Sequence, residues 1–191
     1  MTQDKTRKAA LRNLLRAFDM GSTLPNQVFQ GSWNSFLFFE SDRVFAPEFT
    51  DVIKELLRAE GGEVACLLNL DETSSFEFEE IAAIFLDATT TSSSYESVLD
   101  GTGPATGWIY RMDNYVCSSD VGEWGIYCEK GNDVAVIGLH EAGNIKKFEM
   151  PLTRLLAKPI GELIDEGSSS VFPFNKLVPA WRHGLAQNYR R

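Results

Sequence analysis

The chain has few of the side chains from which most catalytic and metal centres are built. Its 191 residues include only two histidines, His140 and His183, and three cysteines. No CxxC pair, P-loop, GxGxxG fingerprint or calcium loop is present. Because zinc and calcium sites need His, Cys or carboxylate ligands at defined spacings, these absences predict no metal and no cofactor.

Long apolar runs are also missing. No stretch approaches the length of a membrane span, and the first 21 residues carry charges throughout instead of the continuous apolar segment of a signal peptide. Cys66 and Cys128 lie inside apolar runs and do not suggest a disulfide framework. We therefore expect a cytoplasmic protein with reduced thiols and no membrane partner.

Charge of one sign dominates the centre of the chain. The formal net charge is −9, yet residues 1–16 and residues 176–191 each carry +4, so residues 17–175 carry −17. An acidic body repels nucleic-acid phosphates and attracts basic proteins. The charge pattern therefore predicts a basic protein partner and no nucleic acid. Acidity that serves only solubility, in a structural or regulatory module, is the alternative.

The composition predicts one α+β domain over residues 1–191. An apolar fraction of 43% is enough for a sizeable core. Residues 1–21 are expected to contain an amphipathic helix at 4–19, with a stripe of Leu11, Leu14, Leu15 and Phe18 ended by Gly21. A second helix is expected at 48–60, and residues 176–191 form a basic C-terminal tail.

Two apolar runs, 33–39 and 64–70, flank the second helix and predict strands. A strand, helix and strand over this span match a βαβ crossover, which would make the two strands parallel neighbours. In the following segment, Phe76 and Phe78 alternate as in a strand, whereas the spacing of Phe78, Ile81, Ala82 and Phe85 matches a helix. Ser74 and Glu77 resemble a capping box, which favours the helix. The Ser/Thr tract at 89–94 favours a surface loop.

The clearest pattern is a hairpin. Runs at 124–129 and 133–139 flank a short polar turn, and the segment 108–117 before them also predicts a strand. These are three consecutive antiparallel strands. With the earlier segments, they predict a mixed or mainly antiparallel sheet of about five strands, with the helices at 4–19 and 48–60 packed on it.

The sequence WGIYCEKGNDVAVIGL, from Trp124 to Leu139, pairs a Trp-containing strand with an aliphatic one. In this feature, and in its acidic single-domain format, the chain resembles bacterial immunity proteins, the cytoplasmic inhibitors of polymorphic or contact-delivered toxins. The resemblance implies a non-enzymatic inhibitor whose acidity complements a basic toxin. It assigns no role to any individual residue.

Catalysis is the competing hypothesis. A small hydrolase or transferase could use a carboxylate pair or Cys117, which ends its predicted strand and could be accessible. His140 ends another predicted strand and could pair with Cys117 across adjacent strand ends. With 27 acidic residues, no carboxylate pair is singled out by the sequence. The residues around Cys117 match no nucleophile motif, so we expect a non-catalytic binding protein.

The densest acidic cluster follows the predicted strand at 64–70. Loops at the carboxyl end of parallel strands are frequent binding sites, so we expect this cluster to contact the basic partner. The predicted partner-binding residues are Asp71, Glu72, Glu77, Glu79 and Glu80.

Overall fold

A computed structural model describes residues 3–73, 78, 81–141, 143–164 and 172–190. Its helices are α1 (Gln3–Ala17), α2 (Asp42–Phe45), α3 (Phe49–Glu60), α4 (Ser92–Ser97), α5 (Asn144–Lys147), α6 (Glu149–Leu155), α7 (Ile160–Ile164) and α8 (Pro179–Tyr189). Its strands are β1 (Ser35–Glu40), β2 (Val64–Asn69), β3 (Ala83–Asp87), β4 (Asn114–Ser119), β5 (Trp124–Glu129) and β6 (Val134–Leu139).

The six strands form one antiparallel sheet in the order β1-β6-β5-β4-β2-β3. The α+β class and the mainly antiparallel sheet are therefore confirmed. The expected parallel pairing of β1 with β2 is wrong, because β6, β5 and β4 lie between them. The segment that contains α3 does connect β1 to β2, but three strands that come later in the chain, β4, β5 and β6, lie between these two in the sheet.

Helices cover both faces of the sheet, and alternate residues of each strand point to opposite faces. Leu37 and Phe39 of β1 pack in the cluster that contains α3 and α6. Phe36 and Phe38 pack in the cluster that contains α1 and α8. Burial on both faces makes the strands read as continuous apolar runs, a pattern more common in parallel sheets. A continuous apolar run therefore indicates that a strand is buried on both faces, but it does not indicate whether its neighbours are parallel or antiparallel.

The predicted hairpin is confirmed as β5 and β6, and β4 pairs antiparallel with β5. Gly125 and Gly138 lie opposite each other in its register. A Cβ added to Gly138 would lie 2.7 Å from the Phe29 ring, and one added to Gly125 would lie 2.9 Å from the Phe18 ring. The two glycines thus leave room for aromatic rings to lie directly on the sheet.

Two local predictions between residues 78 and 97 are wrong. Residues 83–87 of the expected helix form strand β3, at the edge of the sheet beside β2. The second part of the Ser/Thr tract is α4, because Thr91 and Ser94 form a reciprocal capping box at its start. Tertiary pairing with β2 overrides the weak helical periodicity of this segment.

Both terminal helices pack on the sheet. In α1, Leu11 and Leu14 are buried, and the Asn13 amide donates to the carbonyl of Asp120 at 2.8 Å. This helix ends at Ala17, before the expected Gly21. In α8, Leu185 and Tyr189 are buried in the same cluster as α1. Over the described ranges, no helix is long and apolar enough to cross a membrane.

Candidate functional site: the acidic end of the sheet

One end of the sheet carries Asp71, Glu72, Asp113 and Glu129, and we call it the acidic end. Its loop after β2 is organised by Asn69, which is only 1% exposed. The Asn69 Oδ1 accepts from the backbone N–H groups of Asp71 at 2.9 Å and Glu72 at 3.2 Å. Its Nδ2 donates to Asp113 Oδ2 at 2.9 Å. One buried amide therefore holds the backbones of Asp71 and Glu72, two of the five predicted partner-binding residues, beside the neighbouring strand.

Asp71 ties this loop to the start of β4. Its Oδ2 accepts from the backbone N–H of Asn114 at 2.7 Å and from the Asn114 side-chain amide at 3.1 Å. The Leu70 N–H donates to the Asn114 carbonyl at 2.8 Å. These bonds position the Asp71 carboxylate while leaving its side chain exposed.

Glu72 and Arg111 form an ion pair in which both side chains are substantially exposed. The guanidinium of Arg111 also lies 4.0 Å from Asp113 Oδ2. Exposed pairs of this kind contribute little to stability because water and salt screen them. Within the described residues neither Asp71 nor Glu129 forms an ion pair, so negative charge prevails at this end.

Glu129 closes the acidic end at the last position of β5, opposite Asn114 in the register. Its Oε1 accepts from the Asn132 amide at 2.6 Å, and its half-buried position raises the pKa of its carboxyl group through desolvation. The nearby carboxylate of Asp71 raises that pKa further. The acidic end therefore combines exposed carboxylates with a partly desolvated one.

An exposed apolar strip adjoins these carboxylates. Ile109, Tyr110 and Met112 are 38%, 73% and 70% exposed, and we call them the apolar strip. Trp108 precedes them in a single 3-10 turn and is buried against Tyr115, with their ring centroids 5.3 Å apart. The exposed side chains of the strip therefore directly follow an aromatic residue that is buried in the core.

Lys130 holds the strip from beneath. Lysine side chains are usually exposed, but Lys130 is only 4% exposed. Its Nζ donates to the carbonyls of Ile109 at 2.6 Å and Trp108 at 3.3 Å, and it lies 4.2 Å from the centroid of the Phe45 ring. Desolvation lowers the pKa of this ammonium group. Tyr115 Oη also donates to the Trp108 carbonyl, at 3.2 Å.

A cavity of about 490 Å³ opens beside the strip. Its apolar lining includes Phe45, Leu99 and Ile109, and its carboxylates are Glu96 and Asp100. Tyr110 also lines it and donates its hydroxyl to Asp100 Oδ1 at 3.2 Å. The cavity thus adjoins Ile109 and Tyr110 of the strip, and Asp113 of the acidic end directly follows Met112 in the chain.

At the opposite end of the sheet, one carboxylate, Glu60, is partly buried. Glu60, at the end of α3, accepts from the Trp124 indole N–H at 2.8 Å and from the Glu123 backbone N–H at 3.2 Å. Burial raises the pKa of Glu60 to about 7, although these hydrogen bonds oppose the shift. Glu123 is ion-paired with Lys147.

The thiols do not provide a nucleophile. Cys66, Cys117 and Cys128 are all free and buried. The expected accessibility of Cys117 is wrong, since its strand lies in the middle of the sheet under helices on both faces. Burial raises the pKa of the Cys117 thiol well above its ordinary value, which disfavours the thiolate. In the part of the chain that the structure describes, no group of three or more His, Cys, Asp or Glu could hold a metal ion.

The predicted partner-binding residues fall into two groups. Asp71 and Glu72 lie together at the acidic end, exposed. Glu77, Glu79 and Glu80 lie outside the described residues. The reason given for the cluster is wrong, because β2 has antiparallel neighbours on both sides. Asp71 and Glu72 are instead positioned by the hydrogen bonds that their backbone N–H groups donate to Asn69.

Sequence reasoning missed the apolar strip and Lys130. The segment 108–117 reads as one strand, whereas β4 begins only at Asn114. Gly107 was a sequence signal for a turn at this point, and in the structure it adopts a left-handed conformation directly before the turn. Nothing local to Lys130 indicates that its ammonium group reaches carbonyls some twenty residues earlier.

A scan against protein-family models and searches of curated proteins and of solved structures found no match.

Proposed function

We propose that this chain is a non-catalytic, cytoplasmic protein-binding domain that engages a basic protein partner through the acidic end. In this proposal it acts as an immunity protein that inhibits a basic toxin. The observation that carries the proposal is the placement of Asp71 and Glu72, whose backbones are anchored by Asn69 while their carboxylates face solvent.

The arrangement suits recognition because little reorganisation is needed on binding. The Asp71 carboxylate is oriented by the backbone N–H of Asn114, and the loop is attached to two adjacent strands. Preorganised groups lose less conformational entropy when a partner docks. The net charge of −17 over residues 17–175 adds long-range attraction for a basic protein.

The enzymatic alternative has less support. The thiol of Cys117, its named nucleophile, is buried. Glu60 has a pKa near 7, which would suit an acid or base, but its oxygens are engaged by Trp124 and Glu123. These contacts account for Glu60 as a structural carboxylate.

The test uses the product of the reading frame immediately upstream of this gene. We expect the wild-type protein to bind that product and suppress its toxicity, with an association rate that falls steeply as salt is added. The Asp71→Asn, Glu72→Gln double variant should associate several-fold more slowly at low ionic strength.

The matched control changes two exposed carboxylates elsewhere, Glu149→Gln and Glu162→Gln, and should retain the wild-type rate. A Glu77→Gln, Glu79→Gln, Glu80→Gln triple variant tests the second part of the predicted cluster. Equal association rates for the double variant and the wild type would remove the acidic end from the interface. Binding insensitive to salt would contradict the electrostatic account.

A further inference from the structure

The apolar strip is an exposed surface of unusual composition. Tyr110 and Met112 are 73% and 70% exposed, although large apolar side chains normally avoid water. Tyrosine and methionine are enriched in protein interfaces, where Tyr is a frequent hot-spot residue. Within the described residues, neither side chain is covered by another segment of this chain.

The strip is also held rigidly. Lys130 and Tyr115 together donate three hydrogen bonds to the carbonyls of Trp108 and Ile109. Trp108 itself is 1% exposed and anchors the turn in the core. Exposure therefore does not result from a loosely attached loop, and the side chains of the strip are presented from a fixed backbone.

Two groups of carboxylates lie near the strip. Glu72 and Asp113, of the acidic end, lie next to Arg111. Glu96 and Asp100 line the cavity, where the Tyr110 hydroxyl donates to Asp100. An apolar centre with an acidic border is complementary to an apolar side chain flanked by cations.

We propose that the apolar strip and its cavity form the anchoring part of the partner interface. The occupant is a segment of a basic protein that carries a large apolar side chain next to arginine. The apolar side chain enters the cavity lined by Phe45 and Leu99, and the arginine stacks on the exposed ring of Tyr110. Arginine is preferred to lysine because its planar guanidinium stacks on aromatic rings and pairs with carboxylates in a bidentate manner.

This inference rests on the proposed function and deepens it. The acidic end alone would supply attraction and a faster association rate, whereas a desolvated apolar anchor would supply most of the residence time. The two contributions can be separated, because the strip can be made polar without changing the net charge.

The experiment selects a phage-displayed library of random 12-residue peptides on the immobilised full-length protein. Enriched peptides are then synthesised and titrated against the wild type and a Tyr110→Ser, Met112→Ser double variant. We expect enriched peptides to combine arginine with Leu, Phe or Trp. We also expect their affinity to fall at least about tenfold on the double variant, as for loss of a hot spot.

The matched control is a Met150→Ser, Val178→Ser double variant, which removes two apolar side chains that are 63% and 60% exposed elsewhere. It should bind the peptides as the wild type does. A single Met112→Ser variant keeps the Tyr110–Asp100 hydrogen bond and should show an intermediate loss. Circular dichroism of each variant confirms that its fold is retained.

The outcomes separate this inference from the proposed function. Enriched peptides that are basic but contain no large apolar residue, or that bind the Tyr110→Ser, Met112→Ser variant normally, overturn the apolar anchor and leave the proposed function standing. Peptides without basic residues contradict both, and a selection that enriches no peptide also contradicts both.

Discussion

The two ends of the sheet use carboxylates in opposite ways. At the acidic end, Asp71 and Glu72 are exposed, and a buried amide positions their backbones. At the opposite end, Glu60 is partly buried beside Trp124, and its pKa is raised to about 7. Carboxylates lie where strands begin or finish at both ends, but Asp71 and Glu72 are exposed whereas Glu60 is not.

The difference shows that the number of acidic residues is a poor guide to surface charge. Because desolvation raises the pKa of Glu60 to about 7, its carboxyl group is about half protonated at neutral pH. The Asp71 carboxylate accepts a hydrogen bond from the backbone N–H of Asn114 and remains exposed. Burial and hydrogen-bond partners therefore decide which carboxylates can act at a distance.

The largest expected effect concerns Glu60→Gln. Because the pKa of Glu60 is higher in the folded state than its ordinary value of 4.5, the folded state binds this proton more tightly than the unfolded chain does. The wild-type free energy of unfolding should therefore fall as the pH rises from about 4.5 to about 7, by up to about 3 kcal/mol from this group. The Gln variant lacks this loss.

Urea unfolding at pH 5 and at pH 8 measures this effect. The stability of Glu60→Gln relative to the wild type should be clearly more favourable at pH 8. A Glu141→Gln variant, which changes an exposed carboxylate, controls for the net charge. The same relative stability at both pH values would show that Glu60 is not destabilised by its burial.

Asn69→Ala should be the next most damaging change. It leaves the backbone N–H groups of Asp71 and Glu72 without their acceptor and removes a donor from Asp113. We expect a loss of about 2–3 kcal/mol in the free energy of unfolding. Asn188→Ala, which removes a donor to the Pro25 carbonyl, is the control and should cost about 1 kcal/mol. Equal losses would show that Asn69 does not organise the loop.

Lys130→Met tests the support of the apolar strip. The Ile109 carbonyl loses the Lys130 ammonium as its donor, whereas the Trp108 carbonyl keeps Tyr115. The expected cost is about 1–2 kcal/mol in urea unfolding, because methionine retains most of the packing. An exposed lysine, Lys146, provides the control as Lys146→Met. No loss for Lys130→Met would mean that the burial of Trp108 and the Tyr115 hydrogen bond hold the strip without Lys130.

The smallest effect is expected for the ion pair of Glu72 with Arg111. Both side chains are exposed, so a double-mutant cycle with Glu72→Gln and Arg111→Gln should give a coupling energy of about 0–1 kcal/mol. This coupling should shrink when the unfolding is repeated in high salt. A larger, salt-insensitive coupling would place the pair in a desolvated site and blur the contrast between the two ends.

The predictable parts of the fold are those encoded by local patterns. The stripe in α1, the segment before the Gly61 cap of α3, and the polar turn between β5 and β6 each specify their element within a few residues. The sheet order is different in kind. The sheet order requires β4, β5 and β6 to lie between β1 and β2, which come earlier in the chain. No local sequence pattern encodes this arrangement.

The candidate site divides in the same way. Asp71 and Glu72 could be found from their charge and their place after an apolar run. The exposure of Tyr110 and Met112 could not, because it follows from a turn held by Lys130, which belongs to a later segment. A buried lysine looks like any other lysine in the sequence, so the support of the strip had no local signal.

The glycine pair in the centre of the sheet has a consequence for the order of folding. Gly125 and Gly138 weaken the intrinsic strand preference of β5 and β6, since glycine is entropically costly in strands and has no side chain to pack. The missing contacts are supplied by the rings of Phe18 and Phe29, which are synthesised much earlier.

The hairpin is therefore incomplete as an independent folding unit, despite being the most local pairing in the sheet. A peptide covering residues 123–140 alone should be largely unstructured in water. The rings of Phe18 and Phe29 would therefore remain exposed during synthesis until β5 and β6 have been made and can pack against them. A ribosome-bound chain that ends before β5 should accordingly expose this aromatic surface to chaperones.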